Sequence, residues 1–178
     1  MPTSPPLADG GHVVLVGMMG SGKTTVGRAV AAALGRELVD SDAQVEARTG
    51  RTVREIFESD GEAAYRVLER EALKAALDAE QPSVIAAAGG VVLDPANRAA
   101  LRGSGTVVWL RARPEVLAGR VAGGQDHRPL LAGDPLGTLD RLDAERRELY
   151  EEVADHVIDV ADLEPDEVAA RILDVVGP

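Results

Sequence analysis

The sequence predicts an α/β fold with a central five-stranded parallel sheet flanked by helices. Three observations carry the prediction. Short β-branched runs alternate with longer helical patterns from Val13 onward, the signature of parallel strands joined by helical crossovers. A glycine-rich loop stands directly between the first such run and the first helical pattern. The 178 residues suit one α/β domain and can bury a sizeable core.

Strands are expected over 13–16, 37–39, 84–87, 106–110 and 156–159. Helices are expected over 23–34, 43–48, 53–59, 61–77, 95–101, 114–121, 136–153 and 165–175. Pro95, Pro114 and Pro165 each open a helix, where the missing N–H has no partner to lose. Residues 1–12, MPTSPPLADGGH, read as a short disordered lead to a single domain over 13–178. The stretch GGQDHRPLLAGDP, over 123–135, is rich in glycine and proline and has no periodicity, which makes it a long surface loop and a candidate lid.

Composition excludes several functions. The formal charge is 19 − 30 = −11, so no broad basic surface for nucleic acid is expected and any phosphate site must be local. No cysteine is present, which removes disulfides, thiolate metal sites and thiol catalysis and fits a reducing cytoplasm. The apolar runs near 13–16, 84–88 and 107–110 fall far short of the roughly 20 residues that span a bilayer. The N-terminal stretch lacks the basic start and apolar core of a signal peptide. His12, His127 and His156 have no metal-ligand spacing.

The strongest local signal is Gly17-Met18-Met19-Gly20-Ser21-Gly22-Lys23-Thr24, which matches G-x-x-x-x-G-K-[ST] between a strand and a helix. In this arrangement Gly20, Ser21 and Gly22 turn backbone N–H groups onto a nucleotide phosphate, and the helix N-terminus adds its positive end. Lys23 spans the β- and γ-phosphates of ATP, the Thr24 hydroxyl ligates Mg²⁺, and Thr25 follows on the same turn. No N-K-x-D motif for guanine occurs. A small-molecule kinase that closes over its substrates fits the 123–135 loop.

After the second strand come Asp40 and Asp42, at a strand's carboxyl end, where open α/β sheets bind ligands. Their spacing of two puts both on one face of an extended segment. One would hold Mg²⁺ and the other meet a substrate hydroxyl; alternatively, Asp42 caps the following helix. Arg66, on its own, reads as a surface partner of Glu62 or Glu69 one turn away.

Taken in order, several segments resemble shikimate kinase over about 13–172. They are Gly17 to Thr24, VDSD at 39–42, TGRTV at 49–53, EIF at 55–57, Gly61-Glu62 with YRVLE at 65–69, Gly89-Gly90, RPLL at 128–131 and RRELY at 146–150. The resemblance implies a three-layer P-loop NTPase fold of the nucleoside-monophosphate-kinase type with a mobile lid. It implies transfer of the γ-phosphoryl of ATP to the 3-hydroxyl of shikimate, with Mg²⁺, by a cytoplasmic monomer that needs no nucleic acid or membrane partner. Asp42 would then meet the shikimate hydroxyls and Arg66 and Arg146 its carboxylate, a task for which a planar guanidinium fork is better suited than lysine. Glu69 would fix Arg66, Phe57 and Tyr65 would form an apolar wall, and Gly89 with Gly90 would let the backbone approach the acceptor ring. Arg128 would close over the transferring phosphoryl group, Arg120 would stack on adenine, and Thr24 with Asp40 would hold the metal.

Two departures from the family pattern bear on the acceptor. Ala88 stands where the family usually has the first of three glycines, adding a methyl and restricting positive φ. Glu148 stands where the family usually has proline. They keep open a kinase for another polyhydroxylated or cyclitol acid, and a non-catalytic ATP-binding module is the remaining alternative.

Overall fold

A computed structural model describes residues 11–122, 131 and 133–177. Its strands are β1 (His12–Val16), β2 (Leu38–Asp40), β3 (Val84–Ala86), β4 (Gly105–Arg111) and β5 (His156–Asp159). Its α-helices are α1 (Lys23–Leu34), α2 (Ser41–Thr49), α3 (Val53–Asp60), α4 (Glu62–Leu77), α5 (Pro95–Arg102), α6 (Pro114–Ala122), α7 (Pro135–Val153) and α8 (Pro165–Val176), and a 3₁₀ turn covers Gly89–Leu93.

All strand pairings are parallel, in the order β2-β3-β1-β4-β5. The central strand β1 is buried along its whole length, which explains its uninterrupted apolar run: a parallel strand covered on both faces has no polar side to show. Its register sets Val13 beside Val84 and Thr106, and Leu15 beside Ala86 and Val108. Around it a large core joins α1, β3, β4, α7 and α8, with α1 packed on α8 and α6 on α7. A second, smaller core is formed by Val45, Ile56, Tyr65 and Ala72, with Val53, Phe57 and Leu68 packed against it. It ties α2, α3 and α4 together.

Several boundaries differ from expectation for physical reasons. β1 starts at His12, one residue inside the expected lead, because the buried His12 ring accepts from the Ser83 backbone N–H at Nδ1, 3.1 Å away. β2 runs to Asp40 and α2 starts at Ser41, because the Asp40 side chain accepts from the Ala43 N–H at 3.1 Å. Asp40, not Asp42, is therefore the helix N-cap. Asp42 sits in the first helical turn, so the two do not share a face of an extended segment. Asp134 caps α7, which begins at Pro135. Of the expected lid, residues 123–130 and 132 lie outside the described residues, and Arg128 with them. Leu131 is buried in the large core.

Candidate active site

Because the sheet is parallel, the loops after β1, β2 and β3 all leave from one edge, and the site residues gather there. The loop after β1 supplies the phosphate cradle. Gly17 has φ of 146° and a Cβ there would lie 2.6 Å from the Leu110 carbonyl oxygen, so only glycine fits. Gly20 and Gly22 also have positive φ, at 82° and 94°. No side chain caps α1 at Gly22, which leaves the helix N-terminus to an anion. The buried Ser21 hydroxyl has no hydrogen-bond partner among the described residues. Lys23 arches over the loop, donating to the carbonyls of Gly17 at 2.7 Å and Met18 at 3.0 Å. Thr25 is exposed on the first turn of α1.

Beside the cradle the Thr24 hydroxyl donates to Asp40 Oδ2 at 2.6 Å. These two hard oxygens fit a cation such as Mg²⁺, which takes few protein ligands and keeps the rest for phosphate and water. Among the described residues no cluster of three or more acidic, histidine or cysteine side chains offers a fuller cage. Arg120 donates to the Val160 carbonyl at 2.6 Å and to the Gly20 carbonyl at 3.4 Å, so it links the phosphate loop to the segment after β5.

The residues expected to face the acceptor come from five elements. Asp42 comes from α2, Phe57 from α3, and Tyr65, Arg66 and Glu69 from α4. The Gly89–Leu93 turn and α7 supply Gly90 and Arg146. Arg66 donates to Glu69 at 2.8 Å and to Glu62 at 3.0 Å, so both readings of its partners hold at once. Glu69 is buried, and that burial raises its carboxyl above the usual range while Arg66 pulls it back. A Cβ at Gly90 would lie 2.0 Å from Arg66 Nη1, so this glycine leaves room for the guanidinium. Neither Gly89 nor Gly90 has positive φ.

Arg146 is 2% exposed. Among the described residues no carboxylate forms an ion pair with it, and its Nε lacks a hydrogen-bond partner. It lies near Gly89, where a Cβ would be 3.4 Å from its Nη1. Tyr150 donates to the Gly89 carbonyl at 2.6 Å and stacks on Trp109, with ring centroids 5.6 Å apart. Burial pushes the Tyr150 phenol up to about 12, with the Arg146 guanidinium opposing.

Some of this was not anticipated. Buried Ser41 accepts from the Ala88 N–H at 2.8 Å, pinning the Asp40–Asp42 turn to the end of β3. Its signal is a small hydroxyl between two aspartates, which chain order alone does not connect to a residue 47 positions away. Tyr65 is not only an apolar wall, because its hydroxyl donates to Asp42 Oδ1. Neither departure disturbs the local backbone. Ala88 has φ of −60° and ψ of 146°, an ordinary extended conformation, and Glu148 is exposed on the continuous helix α7.

A phosphate cradle beside an arginine-lined acceptor face, on this sheet, defines a phosphate-loop phosphotransferase for a small molecule. The chain belongs to the shikimate kinase family, whose model, described as "Shikimate kinase", matches residues 19–177. It is 51% identical over 145 residues to the shikimate kinase of Symbiobacterium thermophilum, covering 80% of this chain and 83% of that one. It is 43% identical over 166 residues to that of Paramagnetospirillum magneticum, covering 93% and 84%. Among solved structures, the shikimate kinase of Acinetobacter baumannii in complex with shikimate superposes with a TM-score of 0.90 at 37% identity, covering 94% of this chain and 93% of that one. A gluconokinase from Sinorhizobium meliloti, at 21% identity and a TM-score of 0.62, shares the fold. The activity of the chain is that of its family, ATP-dependent phosphorylation of shikimate.

Proposed function

We propose that the γ-phosphoryl group of ATP passes to the 3-hydroxyl of shikimate between the cradle and the acceptor face, with the residues in the following roles. The observation that carries this reading is Arg146, a buried guanidinium with no carboxylate partner among the described residues. A buried guanidinium with no carboxylate partner among the described residues is costly, so the position suits the anionic group of a ligand. The shikimate carboxylate supplies it, and Arg66, held by Glu62 and Glu69, forms the second fork.

With the carboxylate held, the acceptor hydroxyl faces Asp42, which orients it and takes its proton as the new P–O bond forms. Lys23 leaves its loop carbonyls for the β- and γ-phosphates, and the loop N–H groups with the Ser21 hydroxyl hold the phosphate oxygens. Thr24 and Asp40 would hold Mg²⁺, which when bound neutralises phosphate charge. Arg128 closes over the transferring group and Arg120 borders adenine. The catalytic power of the chain is positioning and charge neutralisation.

The reading also takes the chain as a cytoplasmic monomer, since the described residues of one chain supply both the cradle and the acceptor face. No helix among them is long and apolar enough to cross a membrane. A coupled ADP-release assay with shikimate against a panel of cyclitol and polyhydroxylated acids tests the acceptor. A neutral cyclitol turned over as well as shikimate would sink the carboxylate role of Arg146.

A further inference from the structure

Helix α4 carries Tyr65, Arg66 and Glu69 within little more than one turn, and Tyr65 is the one that touches both Asp42 and Arg66. Its hydroxyl donates to the Asp42 carboxylate on α2. Its ring lies 4.7 Å, centroid to centroid, from Phe57 on α3, and the Arg66 guanidinium carbon is 5.4 Å from the ring centroid. The side chain is 4% exposed, so it belongs to the small core that joins α2, α3 and α4.

These contacts differ in what they need. The ring contacts need only an aromatic of this size, whereas the contact to Asp42 needs the hydroxyl. An apolar wall would be served by phenylalanine, and the polar oxygen would then be a liability in a buried site unless it had a partner. It has one, and the partner is the carboxylate that faces the acceptor hydroxyl. Burial and the nearby charges of Asp42 and Glu69 push the phenol far above its ordinary range, so it stays protonated and keeps donating. Transfer to a hydroxyl requires the carboxylate in one orientation, and the Tyr65 O–H engages one of its two oxygens.

We propose that Tyr65 is a positioning residue for phosphoryl transfer, whose hydroxyl fixes the Asp42 carboxylate toward the acceptor hydroxyl while its ring seats the Arg66 fork that holds the acceptor's carboxylate. One side chain thereby registers the reacting end of the acceptor against its anchored end. The proposal rests on the role of Asp42 given above and adds to it a group that orients its carboxylate.

The test is steady-state kinetics of the full chain with Tyr65→Phe, which removes one oxygen and keeps the ring, measured beside Asp42→Asn. The expected result is a kcat lower by about tenfold, in line with the loss of one hydrogen bond to a charged group. The KM values for ATP and shikimate should stay near those of the native chain, and the thermal midpoint should fall by no more than about 2–8 °C. A native kcat in Tyr65→Phe, with Asp42→Asn strongly impaired, would overturn the proposal and leave the Asp42 reading standing. A native kcat in Asp42→Asn would overturn that reading itself, and the proposal with it. If Tyr65→Phe fails to fold, or loses kcat only together with thermal midpoint and ATP affinity, the hydroxyl is a packing group and the proposal is wrong.

Discussion

The nucleotide side and the acceptor side of this molecule are built by different means. The cradle is almost entirely one short stretch, Gly17 to Thr24, where backbone shape and a helix end stand beside the Lys23 and Thr24 side chains. The residues assigned to the acceptor face bring side chains from α2, α3, α4 and α7 and backbone from the Gly89–Leu93 turn, positions that span more than a hundred residues of chain. Its small core is separate from the large one around the sheet. A cradle made of backbone serves any nucleoside triphosphate, because every such ligand presents the same phosphates. A face made of side chains can match the shape and charge of a particular acceptor, and its α2, α3 and α4 members share one small core.

That contrast is sharpest where a single change strikes one side alone. The largest effect should come from Lys23→Ala, which removes the only side-chain cation in the described part of the cradle while leaving the sheet core untouched. Turnover should fall by about 10² to 10³ or more, the scale of losing one donor to a developing charge. Far-ultraviolet circular dichroism should match the native chain. Near-native turnover in a folded variant would break the assignment of the cradle.

Next in size are Arg66→Lys and Arg146→Lys, which keep the charge and lose the fork. Each should raise the KM for shikimate roughly ten- to hundredfold and the KM for ATP far less, since a charge-assisted hydrogen bond is worth about 1.5–3 kcal/mol. Arg146→Lys should be the worse of the two, because Arg66 is also held by Glu62 and Glu69 whereas Arg146 is buried without a carboxylate partner among the described residues. Equal effects on both substrates would mean that the arginines serve the fold and not the acceptor.

The same contrast decides what could be read from the sequence. The cradle was legible because all its constraints are local: a buried strand, glycines at fixed offsets and a helix. The parallel sheet was legible for a similar reason, since strands buried on both faces are written as plain apolar runs. The acceptor residues Asp42, Arg66 and Arg146 came from resemblance, because no local rule links positions on α2, α4 and α7. The cap, which the sequence offers as an alternative role for Asp42, falls to Asp40, because two aspartates are eligible and only the Ala43 N–H tells which of them turns the chain. The reason for Gly90 was hidden too: it has an ordinary φ, and what it accommodates is the guanidinium of a residue 24 positions earlier.

Gly90 gives a smaller and cleaner cut between the two sides. In Gly90→Ala the new methyl would fall on the tip of the flexible Arg66 side chain, which can swing away without disturbing the backbone. Stability should therefore change by no more than about 1 kcal/mol, as for a small change relieved by one surface-reaching side chain. The KM for shikimate should rise several-fold with Arg66 displaced, and the KM for ATP should not move. A thermal midpoint that drops sharply would show that the Gly89–Leu93 turn, not the fork, is what this glycine protects.

The smallest effect concerns stability and tests whether the acceptor face holds a charge against its own fold. The Glu69 carboxyl is raised above its ordinary value of 4.5, first by burial and further by Asp42, with Arg66 opposing. A carboxyl raised on folding binds its proton more tightly in the folded chain than in the unfolded one. Its contribution to stability is therefore fully present below 4.5 and is lost as pH rises through the higher folded value. Glu69→Gln cannot ionise, and it still offers an oxygen to Arg66, so it loses that pH dependence but not the whole contact. The thermal midpoint of the variant, taken relative to the native chain at each pH, should shift in the variant's favour as pH rises from 4.5 upward. At neutral pH the same variant should bind shikimate less well, because an amide holds the Arg66 fork more weakly than a carboxylate does. A difference that stays flat with pH would mean that Glu69 is neutralised by Arg66 at no net penalty, and the acceptor side would then be no more strained than the cradle.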